Sequence, residues 1–230
     1  MTSLACAGCP VRDRAACSVL TGQERDAMAR AGSHRRLKRG ALLFAAGDED
    51  TACATLISGA LKISAVDEDG TERILALVHP AGFVGELFAP FAHYDVTALS
   101  DSELCVFARR DMGRAIGDHP ALAQALLRRS QEDLHQSRGL LALSGRRSAI
   151  EKVGALILSL AEAASDSPCH PARLLELPLT RGEIAGMLGV TIETVSRALT
   201  RLEDDGVIRR VGARGLELLE PARLGQSAGH

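Results

Sequence analysis

The sequence has no apolar run approaching the roughly 20 residues that a membrane-spanning helix requires, and its first residues lack the apolar core of a secretory signal. A cytoplasmic location without a membrane partner is the expectation. The pieces of an enzyme are missing too: seven histidines are scattered with none paired at metal-ligand spacing, and there is no nucleophile elbow or phosphate-binding loop. No catalytic residue is therefore expected. Nor is charge of one sign in excess, because 27 Lys and Arg stand against 29 Asp and Glu for a net charge of −2. That balance excludes a surface that binds polyanions everywhere and leaves room for a local DNA-reading element. The 230 residues suffice for two modest cores joined by a connector.

Cysteine is concentrated near the N-terminus. The stretch LACAGCPVRDRAACSVL, Leu4 to Leu20, puts Cys6, Cys9 and Cys17 within twelve residues. In a reducing cytosol, clustered cysteines are metal ligands or redox groups more often than a disulfide framework. Spacing alone leaves structural zinc as a rival to any other thiolate-bound centre.

Residues 37–109 read as an all-β segment. Short apolar runs (ALLFAAG, ATLISG, LKISAV, RILALV, ELCVFAR) recur between turn residues at the spacing of a sandwich or jelly roll. Asp69-Gly70 marks a tight hairpin, and Gly40, Gly47, Gly59, Gly82 and Gly85 mark other corners. From Asp111 the period becomes helical, with nothing to break it between Pro120 and Gly139. Leu127, Leu134 and Leu141 recur every seven residues, and Ser130, Ser137 and Ser144 form a second such line. This is a coiled-coil register with half its apolar positions weakened, so a homodimer paired through it should be marginal enough to be switched. The alternative is a helix that packs only on its own β-domain. A second helix follows in SAIEKVGALILSLAEAA, and SDSPCHPARLLELPLT reads as a Pro-rich connector.

The last stretch, LTRGEIAGMLGVTIETVSRALTRLEDDGVIRRVGARGLELL, carries two short helices and a β-wing. Thr180 with Glu183 makes a capping box, Gly189 can end the first helix in the left-handed conformation, and Thr191 caps the second. Ile184 and Leu188 share an apolar wedge with Val195, Leu199 and Leu202. Glu193, Ser196, Arg197 and Thr200 lie at offsets of three, four and seven, which is one stripe of the second helix. A polar stripe is usually a solvated face. Here caps, turn glycine, wedge, stripe and a wing with Arg209, Arg210 and Arg214 agree in order, as in a helix-turn-helix whose second helix enters the major groove. Arg197 can clamp guanine O6 and N7, Glu193 can accept from cytosine, and Ser196 and Thr200 can touch base edges. The wing arginines, with Thr180 and Thr191 at the helix starts, are the candidate phosphate contacts.

On these motifs the chain resembles the Crp/Fnr family of bacterial transcription regulators over nearly its whole length: the roll with ALLFAAGDEDTACATLISGALKIS and PAGFVGEL, the long helix, and TIETVSRALTRLEDDGVI. The resemblance implies an α+β chain with a β-roll of the jelly-roll, cyclic-nucleotide-binding type, a dimerisation helix and a winged helix-turn-helix. The expected boundaries are 1–20 for the cysteine segment, 21–110 for the roll, 111–147 for the dimerisation helix region and 148–230 for the DNA-binding domain. Glu193, Ser196 and Arg197 match the reading residues of the fumarate and nitrate reduction (FNR) regulators. That implies half-sites of the TTGAT type in an inverted repeat of double-stranded DNA, and RNA polymerase as a partner.

In the cyclic-AMP branch an Arg-Ser or Arg-Thr pair follows Gly-Glu and holds the cyclic phosphate. Gly85 and Glu86 are present, but Tyr94 and Asp95 stand where the pair should be, so no cyclic nucleotide is expected. Cys6, Cys9 and Cys17, spaced C-x2-C-x7-C, resemble the rhizobial FNR-like and FixK-like branch, and Cys105 falls at the family's distant ligand. The resemblance thus implies a 4Fe-4S cluster on these four thiolates, with oxygen as the signal; a structural zinc or a thiol-disulfide redox switch is the alternative. Cys53 reads as a small core residue and reserve ligand, and Cys169 as one without a role.

Overall fold

The computed structural model describes residues 6–49, 52–145, 148–165 and 170–226. The chain divides into two compact units, residues 1–71 with 75–136 and residues 72–74 with 137–230. Among the described residues no helix is long and apolar enough to cross a membrane.

The first unit opens with two 3-10 turns, Cys6–Gly8 and Ala16–Val19, and helix α1 (Gly22–Ala31). Eight strands follow: β1 (Gly32–Leu37), β2 (Leu42–Phe44), β3 (Cys53–Ser58), β4 (Leu61–Val66), β5 (Glu72–Val78), β6 (Phe83–Val84), β7 (Asp95–Ala98) and β8 (Ser102–Phe107). They form two four-stranded sheets in the orders β1-β8-β3-β6 and β2-β7-β4-β5. Helices α2 (Arg109–Asp118) and α3 (Pro120–Ser144) come next. The strands thus begin at Gly32, five residues before the expected 37, because Gly32–Leu37 completes the ladder with β8.

Strand parity decides what each face does. Leu56, Leu104 and Val96 point into the core between the sheets with Leu43, Phe44 and Leu61. On β8 the alternate residues Cys105 and Phe107 point the other way, into a second cluster with Leu20, Met112, Leu122 and Leu126. The period of two dictates this split. At the Asp69-Gly70 turn, Asp69 Oδ1 accepts from Thr71 N at 3.0 Å and Gly70 has φ 81, as a tight hairpin requires.

Helix α3 runs on through Gly139, where a break was expected. One glycine costs a helix only about 1 kcal/mol, and Leu140, Leu141, Ala142 and Leu143 after it are good helix formers.

The second unit holds α4 (Ala149–Ala163), β9 (Leu174–Glu176), α5 (Arg181–Leu188), α6 (Ile192–Asp204), β10 (Ile208–Val211), β11 (Gly215–Leu218) and α7 (Pro221–Gln226). Its core joins Val153, Leu156, Ile157 and Leu160 of α4 to Ile184 and Leu188 of α5 and Val195, Leu199 and Leu202 of α6, all buried. Lys152 Nζ donates to Leu188 O at 3.3 Å, satisfying a terminal carbonyl of α5. The stretch read as a bare connector contributes β9, the third strand of the sheet β10-β11-β9. Leu175 is buried there between exposed Leu174 and Glu176, an alternation too short to recognise among prolines. Cys169 lies outside the described residues.

Candidate thiol centre and nucleic-acid interface

Four thiols meet at one cavity of about 210 Å³ in the first unit: Cys6, Cys9, Cys17 and Cys105 all line it. Its floor is a row across one sheet, since Cys105 pairs with His34 on one side and Thr55 on the other, and Thr55 pairs with Phe83. All four of these residues line the cavity. The opposite wall is the N-terminal segment, whose Val11 and Ala15 are buried against Ala81 and Ile57. Arg12 N donates to Cys9 O at 3.1 Å and Leu20 N to Cys17 O at 3.2 Å, so the segment is folded on itself around the thiols. Leu122 and Leu126 of α3 close one side.

The surroundings of three of these thiols favour the neutral form. Burial pushes the Cys6, Cys17 and Cys105 thiols up from their ordinary range, and further thiols of the cluster add to the shift in each case. Arg25, at the rim, pulls Cys6 and Cys17 the other way. Removing these protons is costly because the anions would be desolvated and would repel one another, and a bound metal reverses both terms. Among the described residues no group of three His, Cys, Asp or Glu side chains stands close enough to hold a single metal ion. The thiols ring a space instead. Cys53 is outside that ring: it is buried, its Sγ lies 3.7 Å from Phe107 O, and burial raises its thiol to about 12. Gly85 packs onto it, with φ 123 and a position where a Cβ would come within 2.7 Å of Cys53 Cα.

A second cavity, of about 600 Å³, lies in the roll, lined by Gly85, Glu86 and Tyr94 and by Leu127, Ser130 and Asp133 of α3. Among the described residues no Arg or Lys lines it. Glu86 is engaged with His93, accepting from its backbone at 3.3 Å and pairing with its ring. Asp95 is turned aside to accept from Ala46 N at 2.7 Å.

The three leucines of the seam lie on an exposed face of α3. Leu127, Leu134 and Leu141 are 62%, 49% and 73% exposed, whereas Leu122 and Leu126 of the same helix are buried. Ser130 is exposed and Ser137 half-buried; the side chain of Ser144 lies outside the described residues.

In the second unit, α5 and α6 are the two helices of the expected helix-turn-helix. Thr180 Oγ1 accepts from Glu183 N at 3.1 Å and donates to Glu183 Oε2 at 2.8 Å, and Gly189 has φ 64 and ψ 41. Thr191 Oγ1 accepts from Thr194 N at 3.2 Å. Both threonine hydroxyls thus serve as caps, leaving the N-terminal amides as the groups that can meet a phosphate. Glu193, Arg197 and Thr200 are exposed and Ser196 half-buried, on the face opposite Val195, Ala198, Leu199 and Leu202. Backbone and Thr191 hydrogen bonds, with Arg197 nearby, hold the Glu193 carboxyl below its ordinary range. Arg181, absent from the sequence-based assignment, donates to Ser196 Oγ at 3.3 Å. Its signal was present as a cation at the first turn of α5, beside the stripe only once the helices pack.

Each of the wing arginines expected to meet phosphates has a partner within this unit. Arg209 pairs with Glu217 at 2.9 Å, Arg210 donates to Glu203 at 2.6 Å, and Arg214 donates to Pro178 O at 3.4 Å. Glu217, one strand away, and Glu203, at the end of α6, supply the first two partners and a backbone carbonyl the third, a neighbourhood that one-dimensional charge reading does not reveal.

Comparison with known proteins agrees with this architecture. Residues 34–119 match the cyclic nucleotide-binding domain and residues 151–227 the Crp-like helix-turn-helix domain. The chain is 32% identical over 227 residues to the transcriptional activator protein FnrL of Cereibacter sphaeroides, covering 97% of this chain and 92% of the relative. It is 32% identical over 225 residues to the nitrogen fixation regulation protein FixK of Bradyrhizobium diazoefficiens, covering 95% and 92%. The structure of FixK2 from Bradyrhizobium japonicum has the same fold, with a TM-score of 0.76 at 24% identity over 86% of this chain and 98% of that one. The chain therefore belongs to the Crp/Fnr family of DNA-binding transcription regulators, and it is not an enzyme.

Proposed function

We propose that this regulator is an oxygen-responsive activator in which the thiol cavity controls dimeric DNA binding. The observation that carries the reading is the convergence of Cys6, Cys9, Cys17 and Cys105 on a cavity walled by Leu122 and Leu126 of α3. Four soft thiolates suit a 4Fe-4S cluster, and such a group would supply an oxygen-labile positive centre to offset their mutual repulsion. With the thiolates so neutralised, the N-terminal segment stays docked on α3; without that neutralisation the segment keeps the apolar packing of Val11, Ala15 and Leu20 and its hydrogen bonds against the repulsion of its thiolates. The activator role is carried from the name of FnrL, whose sequence this chain resembles along its whole length.

The seam makes the coupling effective. Exposed Leu127, Leu134 and Leu141 alternate with serines, so pairing of two copies gains little per layer and a change of a few kcal/mol at the thiol segment tips it. A monomer presents one α6, which cannot reach two half-sites about one helical turn apart. Glu193, Ser196 and Arg197 then read TTGAT-type half-sites of an inverted repeat, and the DNA-bound dimer acts on RNA polymerase. The roll cavity, with two carboxylates and, among the described residues, no Arg or Lys in its lining, would repel the phosphate of a cyclic nucleotide.

Purification without oxygen, followed by absorption spectroscopy and analysis of iron, sulfide and zinc, tests this reading. Brown protein with four irons and four sulfides per chain, and dimer and operator binding that vanish in air, is the expected result. Colourless protein with one zinc per chain that binds DNA equally in air would replace it with a structural metal site.

A further inference from the structure

The long helix meets the thiol-bearing segment through a polar contact as well as through its apolar wall. Arg129 Nη2 donates to the carbonyl of Arg14 at 2.8 Å, and Arg14 lies between Cys9 and Cys17. The same guanidinium pairs through Nη1 with Glu132 at 2.9 Å, and its side chain is only 22% exposed. The Glu132 side chain is 58% exposed, so that pair is solvent-screened, and what sets Arg129 apart is the fixed carbonyl it reaches across the chain. Leu122, Leu126, Arg129 and Asp133 follow at offsets of four, three and four, so they share one face of α3. Two of them wall the thiol cavity and the last lines the roll cavity. The seam residues Leu127, Ser130 and Leu134 are each the next position along, roughly 100° round the helix.

We propose that Arg129 is the positioning residue through which the thiol segment sets the geometry of the seam, an inference that rests on the reading of that segment as a switchable metal site. A docked segment gives the guanidinium a fixed carbonyl acceptor, and its planar fork spans that carbonyl and Glu132 at once. The turn of α3 that carries Ser130 and Leu134 is thereby tied to the position of residues 9–17. When the segment leaves, the carbonyl goes with it, and the turn keeps only the intrahelical Glu132 pair, which says nothing about where the segment is. A lysine could not do the same work, because an ammonium is a point charge without the fork.

The test uses the full chain purified without oxygen, with Arg129→Ala and Arg129→Lys beside the unchanged protein. Iron and sulfide content report the thiol site, sedimentation reports dimerisation, and hydrogen exchange of amides 11–16 and 126–134 is compared before and after removal of the metal. In the unchanged protein both amide stretches should speed up together on removal. Arg129→Ala should keep its iron yet dimerise about tenfold more weakly, with amides 126–134 no longer responding to removal; Arg129→Lys should fall between. Wild-type dimer affinity in iron-loaded Arg129→Ala, or weaker dimerisation that merely tracks lost iron, would overturn the relay while leaving the metal reading intact. An unchanged protein whose dimerisation ignores its metal would overturn both.

Discussion

Cys105 stands directly opposite His34 in the ladder between β1 and β8, and both side chains face the cavity that the N-terminal thiols enter from the other side. The neighbours Leu104 and Val106 face the core between the sheets. A shift of one residue in β8 would therefore bury the fourth thiol in hydrocarbon and present a leucine or a valine to the cavity.

Serine at Cys6, Cys9, Cys17 or Cys105 should each abolish iron and sulfide binding after anaerobic reconstitution, whereas Cys53→Ala should leave them unchanged. Cys53 packs against Gly85 and Phe107 and does not line the cavity. Full iron content in Cys105→Ser with loss in Cys53→Ala would exchange the two roles.

Ser137→Leu should strengthen the dimer and leave DNA binding partly active in air. Ser137 is half-buried on the weakened line of the seam, and burying a leucine against a partner helix is worth about 1.5–3 kcal/mol. Sedimentation of the metal-free protein measures this directly, and an unchanged monomer fraction would place the interface on another face of α3.

Arg197→Ala should cost about 1–3 kcal/mol per half-site and relax discrimination at one base pair. The Arg197 guanidinium makes no hydrogen bond among the described residues, so it is available to a guanine edge. Arg209 is already paired with Glu217, so Arg209→Ala should lower affinity for all sequences alike, and by less. Titrations against the operator and its guanine-substituted variants at several salt concentrations separate the two; equal losses on every sequence for Arg197→Ala would reduce it to a backbone contact.

Burial of Asp133 raises its carboxyl to about 6 from 3.8, with Arg129 opposing and Glu132 adding to the shift. A carboxyl whose folded pKa lies above its unfolded one binds the extra proton in the native state, so stability is lost as pH rises from about 4 to about 6. Above that window the native carboxylate is held ionised in an unfavourable site. Asp133→Asn should therefore stabilise the metal-free chain at pH 7, and the gain should shrink as pH falls toward 4. Urea unfolding at a series of pH values would detect it, and a gain independent of pH would show that the effect is not ionisation.

Much of the second unit was legible in the sequence because its signals are local. The capping box of Thr180 and Glu183 and the left-handed Gly189 each involve residues within a turn of one another, where propensity and hydrogen bonding act without help from the rest of the chain, and the wedge of Ile184, Leu188, Val195, Leu199 and Leu202 needs only two consecutive helices joined by a short turn. The heptad of Leu127, Leu134 and Leu141 and the hairpin at Asp69-Gly70 are of the same kind. What only the tertiary structure decided is which of these local pieces meet. Cys105 joins Cys6, Cys9 and Cys17 because the parity of β8 and the burial of Val11 and Ala15 bring distant segments together, and no spacing rule encodes that. Arg181 reaches Ser196, Glu217 and Glu203 claim the wing arginines, and the carbonyl of Arg14 finds Arg129 for the same reason. Contacts between residues far apart in the chain are selected by the collective burial of apolar surface against the entropy of closing the loops between them, a balance struck over the whole unit and written in no single stretch of it.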